Sequence, residues 1–137
     1  MSIHFELIQW FRQIIKFGLV GIVNTVITLT IVFLLTHLFR IPYIIANVVG
    51  YVLGFINSYI MNRKWTFHST GSVNSEAPRF VMTFIIAYLI QLCVLIFLIR
   101  VVSLREETAQ LISMVIFTVV NFLGNKLFTF NERCRYQ

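Results

Sequence analysis

The sequence predicts an all-α membrane protein: four transmembrane helices, built as two helical hairpins in a parallel repeat, with both termini in the cytoplasm. Three observations carry that expectation. The 137-residue chain is 58% hydrophobic and 12% charged, about half the charged fraction of a soluble domain. Residues 17–39, 41–62, 80–99 and 108–125 contain no Asp, Glu, Lys or Arg, in runs of 23, 22, 20 and 18 residues, and a spanning helix needs about 20. A polar-basic-aromatic signal also occurs twice, 63 residues apart. The charge-free runs leave no room for a soluble catalytic domain, so residues 1–137 read as one membrane domain.

Ahead of the first span, Phe5, Ile8, Phe11 and Ile15 fall at helical spacing, with Trp10, Arg12 and Lys16 available to headgroups. Residues 1–16 therefore read as an interfacial helix leading into the span; a cytoplasmic extension of the span has the same pattern. The first span, about 17–39, is too long for the apolar core of a signal peptide and no A-x-A site follows it, so it is read as a retained helix. Asn24 and Thr28 form a short polar stripe in it.

The second span, about 41–62, places Asn47, Gly50, Gly54, Ser58 and Asn62 three or four residues apart, on one face. Gly50-x-x-x-Gly54 permits close approach of another helix, and this face suggests a homo-oligomer. In the middle loop, residues 69–75 read as a flexible turn region. The third span, about 80–99, contains Gln91 and Cys93. The fourth, about 108–127, repeats the polar stripe with Thr118, Asn121 and Asn125. For these asparagines, packing between helices and contact with a substrate are both open.

The repeat is carried by residues 62–67, Asn-Arg-Lys-Trp-Thr-Phe, and 125–130, Asn-Lys-Leu-Phe-Thr-Phe. The same offset pairs Lys16-Phe17 with Arg79-Phe80 and Ser58 with Asn121. Trp65, Phe67, Phe128 and Phe130 make an aromatic belt at the interface. Four spans put the N-terminus, the middle loop and the C-terminus on one side. That side holds eight of the eleven cations: Arg12, Lys16, Arg63, Lys64, Arg79, Lys126, Arg133 and Arg135. The Lys/Arg bias marks it as cytoplasmic, which places the chain in the cytoplasmic membrane. The net charge of +6 is accounted for by topology and adhesion to anionic membrane lipids. Cations that hug the membrane plane make no separate basic domain for nucleic acid.

Absences narrow the chemistry. All five acids, Glu6, Glu76, Glu106, Glu107 and Glu132, lie outside the charge-free runs, whereas a proton-coupled transporter keeps an ionisable group in the membrane. No nucleotide-binding G-x-x-x-x-G-K-[ST] loop is present. His4, His37 and His68 are scattered over different segments, and Cys93 and Cys134 match no metal-site or disulfide spacing. No catalytic residue, metal or cofactor is expected, and the protein is read as a non-enzyme.

The run Phe17-Gly18-Leu19-Val20-Gly21-Ile22-Val23-Asn24-Thr25 resembles the F-x-x-V-G-x-x-N-T opening of the GtrA-like membrane proteins. Residues 62–67 resemble that family's N-R-x-(W/F)-x-F close of helix two. Asn121, Asn125, Lys126, Phe128 and Phe130 resemble its repeat at the end of helix four. Ser58 stands where the family often has asparagine. The resemblance implies movement of a polyprenyl-phosphate-linked sugar, typically undecaprenyl phosphate-glucose, from the cytoplasmic to the outer leaflet for cell-surface polysaccharide synthesis. It also implies a glycosyltransferase partner that makes this lipid.

Such a substrate suits the residues. Lys16, Arg63, Lys64, Arg79 and Lys126 lie where the phosphate starts, and Lys and Arg suit phosphate oxygens. Asn24, Thr28, Asn47, Ser58, Asn62, Asn121 and Asn125 offer the mixed donors and acceptors that sugar hydroxyls demand. Export of one phosphodiester charge from a negative interior is favoured by about 2.3 kcal/mol per 100 mV, so neither ATP nor a proton is needed. Two other functions fit a small four-span chain: a membrane subunit that docks or stabilises the glycosyltransferase without moving lipid, and a small multidrug-type exporter. The exporter is disfavoured because cationic drugs want a membrane carboxylate.

Overall fold

The computed structural model describes residues 2–131, so Glu132, Arg133, Cys134 and Arg135 lie outside the described residues. The elements are α1 (Ser2–Phe33), α2 (Tyr43–Met61), α3 (Val73–Arg100) and α4 (Glu106–Gly124). A single π turn follows three of them: Leu34–Leu38 after α1, Asn62–Thr66 after α2 and Asn125–Thr129 after α4. No strand occurs among the described residues. All four helices are long and apolar enough to cross a membrane, so the chain is an all-α, multi-pass membrane protein.

The chain divides into two compact units, Met1–His68 and Ser69–Gln137. In the first, α1 packs against α2; in the second, α3 packs against α4. The connections that follow the first and third spans fall at the charges the sequence put there. Arg40 and Ser103 turn the chain with φ of 54° and 59°, just beyond the ends of the preceding helices.

Both α1 and α3 begin ahead of the charge-free runs. Residues 2–16 are continuous with α1 and not set off from it by a break. The 32 residues of α1 make a helix roughly 48 Å long, against a hydrocarbon core of about 30 Å. The Lys16 ammonium donates to the Trp65 carbonyl at 3.0 Å, which sets Lys16 level with the end of α2. The turns before Lys16 thus run past that end, with Leu7, Phe11 and Ile14 exposed along one side. Likewise α3 begins at Val73, inside the stretch expected to be a flexible turn. Pro78 lies within this helix. The carbonyl it leaves without an N–H partner belongs to the exposed Asn74, where water can reach it.

Packing in each unit relies on small residues, as expected where lipid covers the large apolar side chains. Ala46, Ala87, Ala109 and Ser113 have no exposed surface. Gly50 and Gly54 are buried against α1: a Cβ on Gly50 would meet Val32 Cγ2 at 2.8 Å and the Thr28 carbonyl at 3.1 Å, and one on Gly54 would strike Thr28 Oγ1. The glycine face on which a homo-oligomer was expected is therefore taken up inside the first unit. Gly18 and Gly21 have nothing within 4 Å of an added Cβ. Gly50→Ala should accordingly lower stability by about 1–3 kcal/mol through overpacking. Gly18→Ala and Gly21→Ala should be neutral or stabilise by up to about 1 kcal/mol through helix propensity. Thermal unfolding of the purified protein in mild detergent measures all three; equal effects would contradict this packing.

Candidate functional site

The repeated sequence signal folds into a repeated structure. In the first unit the Phe17 and Phe67 rings meet edge-on with centroids 6.3 Å apart. In the second, Phe80 and Phe130, each 63 residues further on, stand 6.2 Å apart. Lys16 lies 5.3 Å from the Trp65 ring centroid, and its counterpart Arg79 lies 5.5 Å from the Phe128 ring. The helix that opens each unit thus sends one cation onto an aromatic ring at the close of the unit, a favourable contact where water is scarce.

Between these rings, the chain closes with a π turn in each unit: the Phe67 N–H bonds to the Asn62 carbonyl and the Phe130 N–H to the Asn125 carbonyl, both at 2.9 Å. Such wide turns are uncommon and cluster at functional sites. Here asparagine starts both. Asn62 is 2% exposed and Asn125 is fully buried. The Asn62 amide donates to Ser58 Oγ at 3.3 Å, and its carbonyl oxygen accepts from the Thr66 hydroxyl at 3.1 Å. Asn125 donates to the carbonyl and side-chain oxygens of Asn121 at 2.9 and 3.0 Å. Thr129, the counterpart of Thr66, turns instead to Thr83, the two hydroxyls lying 3.1 Å apart. The Asn62 amide thus braces the first turn from inside, whereas Asn125 bonds back into α4 and its buried side-chain oxygen has no hydrogen-bond partner among the described residues.

What the turns present outward is positive charge. Arg63 and Lys64 sit on the first turn, Arg63 half-buried and Lys64 exposed; Lys126 sits on the second, 5.9 Å from the Phe122 ring. All three lie at helix C-terminal ends, where the backbone dipole favours cations. The structure thus brings Lys16, Arg63 and Lys64 to one end of the first unit, and Arg79 and Lys126 to the closing end of the second. Glu6 is the only acid within residues 1–68, more than two helical turns before Lys16. The first unit's cationic end therefore has no carboxylate of its own.

Of the expected polar path, two residues join helices. Asn24 accepts a hydrogen bond from Asn57 at 3.1 Å, and the Thr28 hydroxyl donates to the Gly50 carbonyl at 3.3 Å; both tie α1 to α2. Asn47 donates to the Tyr43 hydroxyl at 3.4 Å on its own helix. Asn57, His68 and Glu76 were not singled out in the sequence. His68 Nε2 lies 3.4 Å from the Lys16 ammonium, and Glu76 is 4% exposed. The 63-residue offset was the available signal for Glu76, since it sets Glu76 against Gln13 and so marks one turn at which the halves differ in charge. No group of His, Cys, Asp and Glu suited to a metal occurs among the described residues.

A sequence model of the GtrA/DPMS transmembrane domain matches residues 16–130. The chain is 31% identical over 126 residues to the membrane protein YngA of Bacillus subtilis, covering 85% of this chain and 78% of that one. It is 29% identical over 134 residues to the cell wall teichoic acid glycosylation protein GtcA of Listeria monocytogenes serovar 1/2a, covering 92% of each. A GtcA of Listeria innocua is 27% identical, over 89% of this chain and 87% of its own. With the whole doubled motif inside the matched region, the chain belongs to the GtrA/DPMS transmembrane-domain family.

Proposed function

We propose that the protein acts in glycosylation of a cell-wall polymer by moving a polyprenyl-phosphate-linked sugar, such as undecaprenyl phosphate-glucose, to the outer leaflet of the cytoplasmic membrane. The observation that carries this reading is the doubled cationic close: two π turns, each opened by a buried asparagine, that present Arg63, Lys64 and Lys126 at membrane-helix ends. A phosphodiester needs charge-assisted donors at the membrane face, while its polyprenyl tail stays in lipid. Relatives named for teichoic acid glycosylation support the polymer context. The protein is then a carrier and not an enzyme, driven by the membrane potential and by use of the sugar outside. Both termini lie in the cytoplasm under the Lys/Arg rule.

A second reading has its own observation. The turns of α1 before Lys16 present Leu7, Phe11 and Ile14 exposed, a surface on which a polyprenyl-phosphate glycosyltransferase can dock. One experiment separates the two. Purified protein is reconstituted in vesicles with labelled undecaprenyl phosphate-glucose and no glycosyltransferase, and transfer between leaflets is followed. Transfer above protein-free vesicles supports the carrier; background transfer by folded protein supports the docking subunit. In cells, a cysteine placed at Arg105 should label from outside and one at Ser72 should not. The reverse pattern would overturn the orientation and with it the direction of transport.

A further inference from the structure

The start of α3 holds a feature that the first unit lacks. Glu76, in the first turn of this helix, buries a carboxylate, and a buried carboxylate requires partners. The chain ahead of the helix supplies them. The Ser69 hydroxyl donates to Glu76 Oε1, and the Gly71 N–H donates in turn to Ser69 Oγ at 3.2 Å. Gly71 leaves room for this seat: a Cβ there would strike the Glu76 carboxylate and push it aside. Ser72, which precedes the helix, makes no side-chain cap bond. The loop is therefore shaped around the carboxylate, beyond what starting a helix requires.

Beside it lies a recess of about 20 Å³, lined by Gly71, Glu76, Arg79, Thr129 and Asn131 among others. That volume admits one water-sized group, hence one hydroxyl and not a sugar ring. Its lining brings a carboxylate acceptor and a guanidinium donor together, while the Thr129 hydroxyl is paired with Thr83 and the Asn131 amide donates to the Leu127 carbonyl. A phosphate oxygen would meet the like charge of Glu76. A sugar hydroxyl donates and accepts at once, and this recess answers both.

We propose that the recess is a hydroxyl-binding subsite for the sugar of the transported lipid, with Glu76 accepting a hydrogen bond from the hydroxyl and Arg79 donating one to its oxygen. This rests on the export reading, and it assigns Arg79 to the sugar, leaving the phosphate to cations without an acidic neighbour. Two variants of the full chain test it. Glu76→Gln keeps an acceptor for Ser69 but removes the charge; Gly71→Ala keeps the charge but displaces the carboxylate. Retention of labelled undecaprenyl phosphate-glucose and of undecaprenyl phosphate without sugar is measured on protein purified in mild detergent. Each variant should weaken the sugar-bearing lipid about tenfold and leave the sugar-free lipid within about twofold. Equal loss for both lipids would mark Glu76 as a purely structural residue and overturn the inference, as would no loss for either. Wild-type protein that binds neither lipid overturns both the inference and the export reading. Wild-type protein that shows the selective pattern yet moves no lipid between leaflets keeps the subsite and overturns export alone.

Discussion

Changing Arg63 or Lys126 to glutamine should lower transfer of undecaprenyl phosphate-glucose about ten- to hundredfold, the worth of one charge-assisted hydrogen bond at 1.5–3 kcal/mol. Protein level and membrane insertion should stay at wild type, because the neighbouring cations keep the Lys/Arg bias. The two residues sit at equivalent positions of the two π turns, so the comparison also tests whether both halves handle the phosphate. Lys16 is a poorer probe. Its ammonium holds the Trp65 carbonyl and covers the Trp65 ring, so its loss would loosen the end of the first unit as well as remove a charge. Transfer is read in reconstituted vesicles and polymer glycosylation in cells. Wild-type rates in both variants would remove the phosphate site, and the docking subunit would become the better reading.

How much of this was legible in the sequence follows from what each signal measures. Charge-free runs locate the four candidate spans and the connections after the first and third well, because charge at the bilayer centre is costly. They do not show where a helix ends outside the membrane. The early turns of α3 carry Glu76 and Arg79, and to a hydropathy window these are indistinguishable from loop. The repeat was legible because it rests on side chains, and the Phe17–Phe67 and Phe80–Phe130 contacts confirm the offset. The π turns were not, since no local propensity marks a turn widened by one residue. The asparagine stripes left packing and substrate contact open, and geometry shows a bond between helices for Asn24 and bonds within their own helix ends for Asn62 and Asn125. Asn57, the partner of Asn24, escaped notice because it stands one residue off the stripe that contains Ser58. The burial of Glu76 depends on a loop folding back over it, a tertiary fact with no periodicity to reveal it.

Because Asn62 is buried and bonded at both ends of its amide, the expected consequence of Asn62→Ala is loss of the turn that aims Arg63 and Lys64. The buried Thr66 hydroxyl would be left without its acceptor, at a cost of about 1–3 kcal/mol in stability. Transfer should fall with it, although no substrate-facing charge has changed. Thr66→Val is the informative control: it breaks the same Thr66–Asn62 hydrogen bond while keeping the amide. If Asn62 acts as a brace, both variants should be defective, and the double variant should be little worse than Asn62→Ala, which already removes the Thr66 bond along with the one to Ser58. Thermal unfolding in detergent gives the stability arm and vesicle transfer the functional arm. Should Thr66→Val transport normally while Asn62→Ala is inactive and equally stable, the amide touches the substrate directly, and the sugar path drawn from the sequence would return in place of the brace.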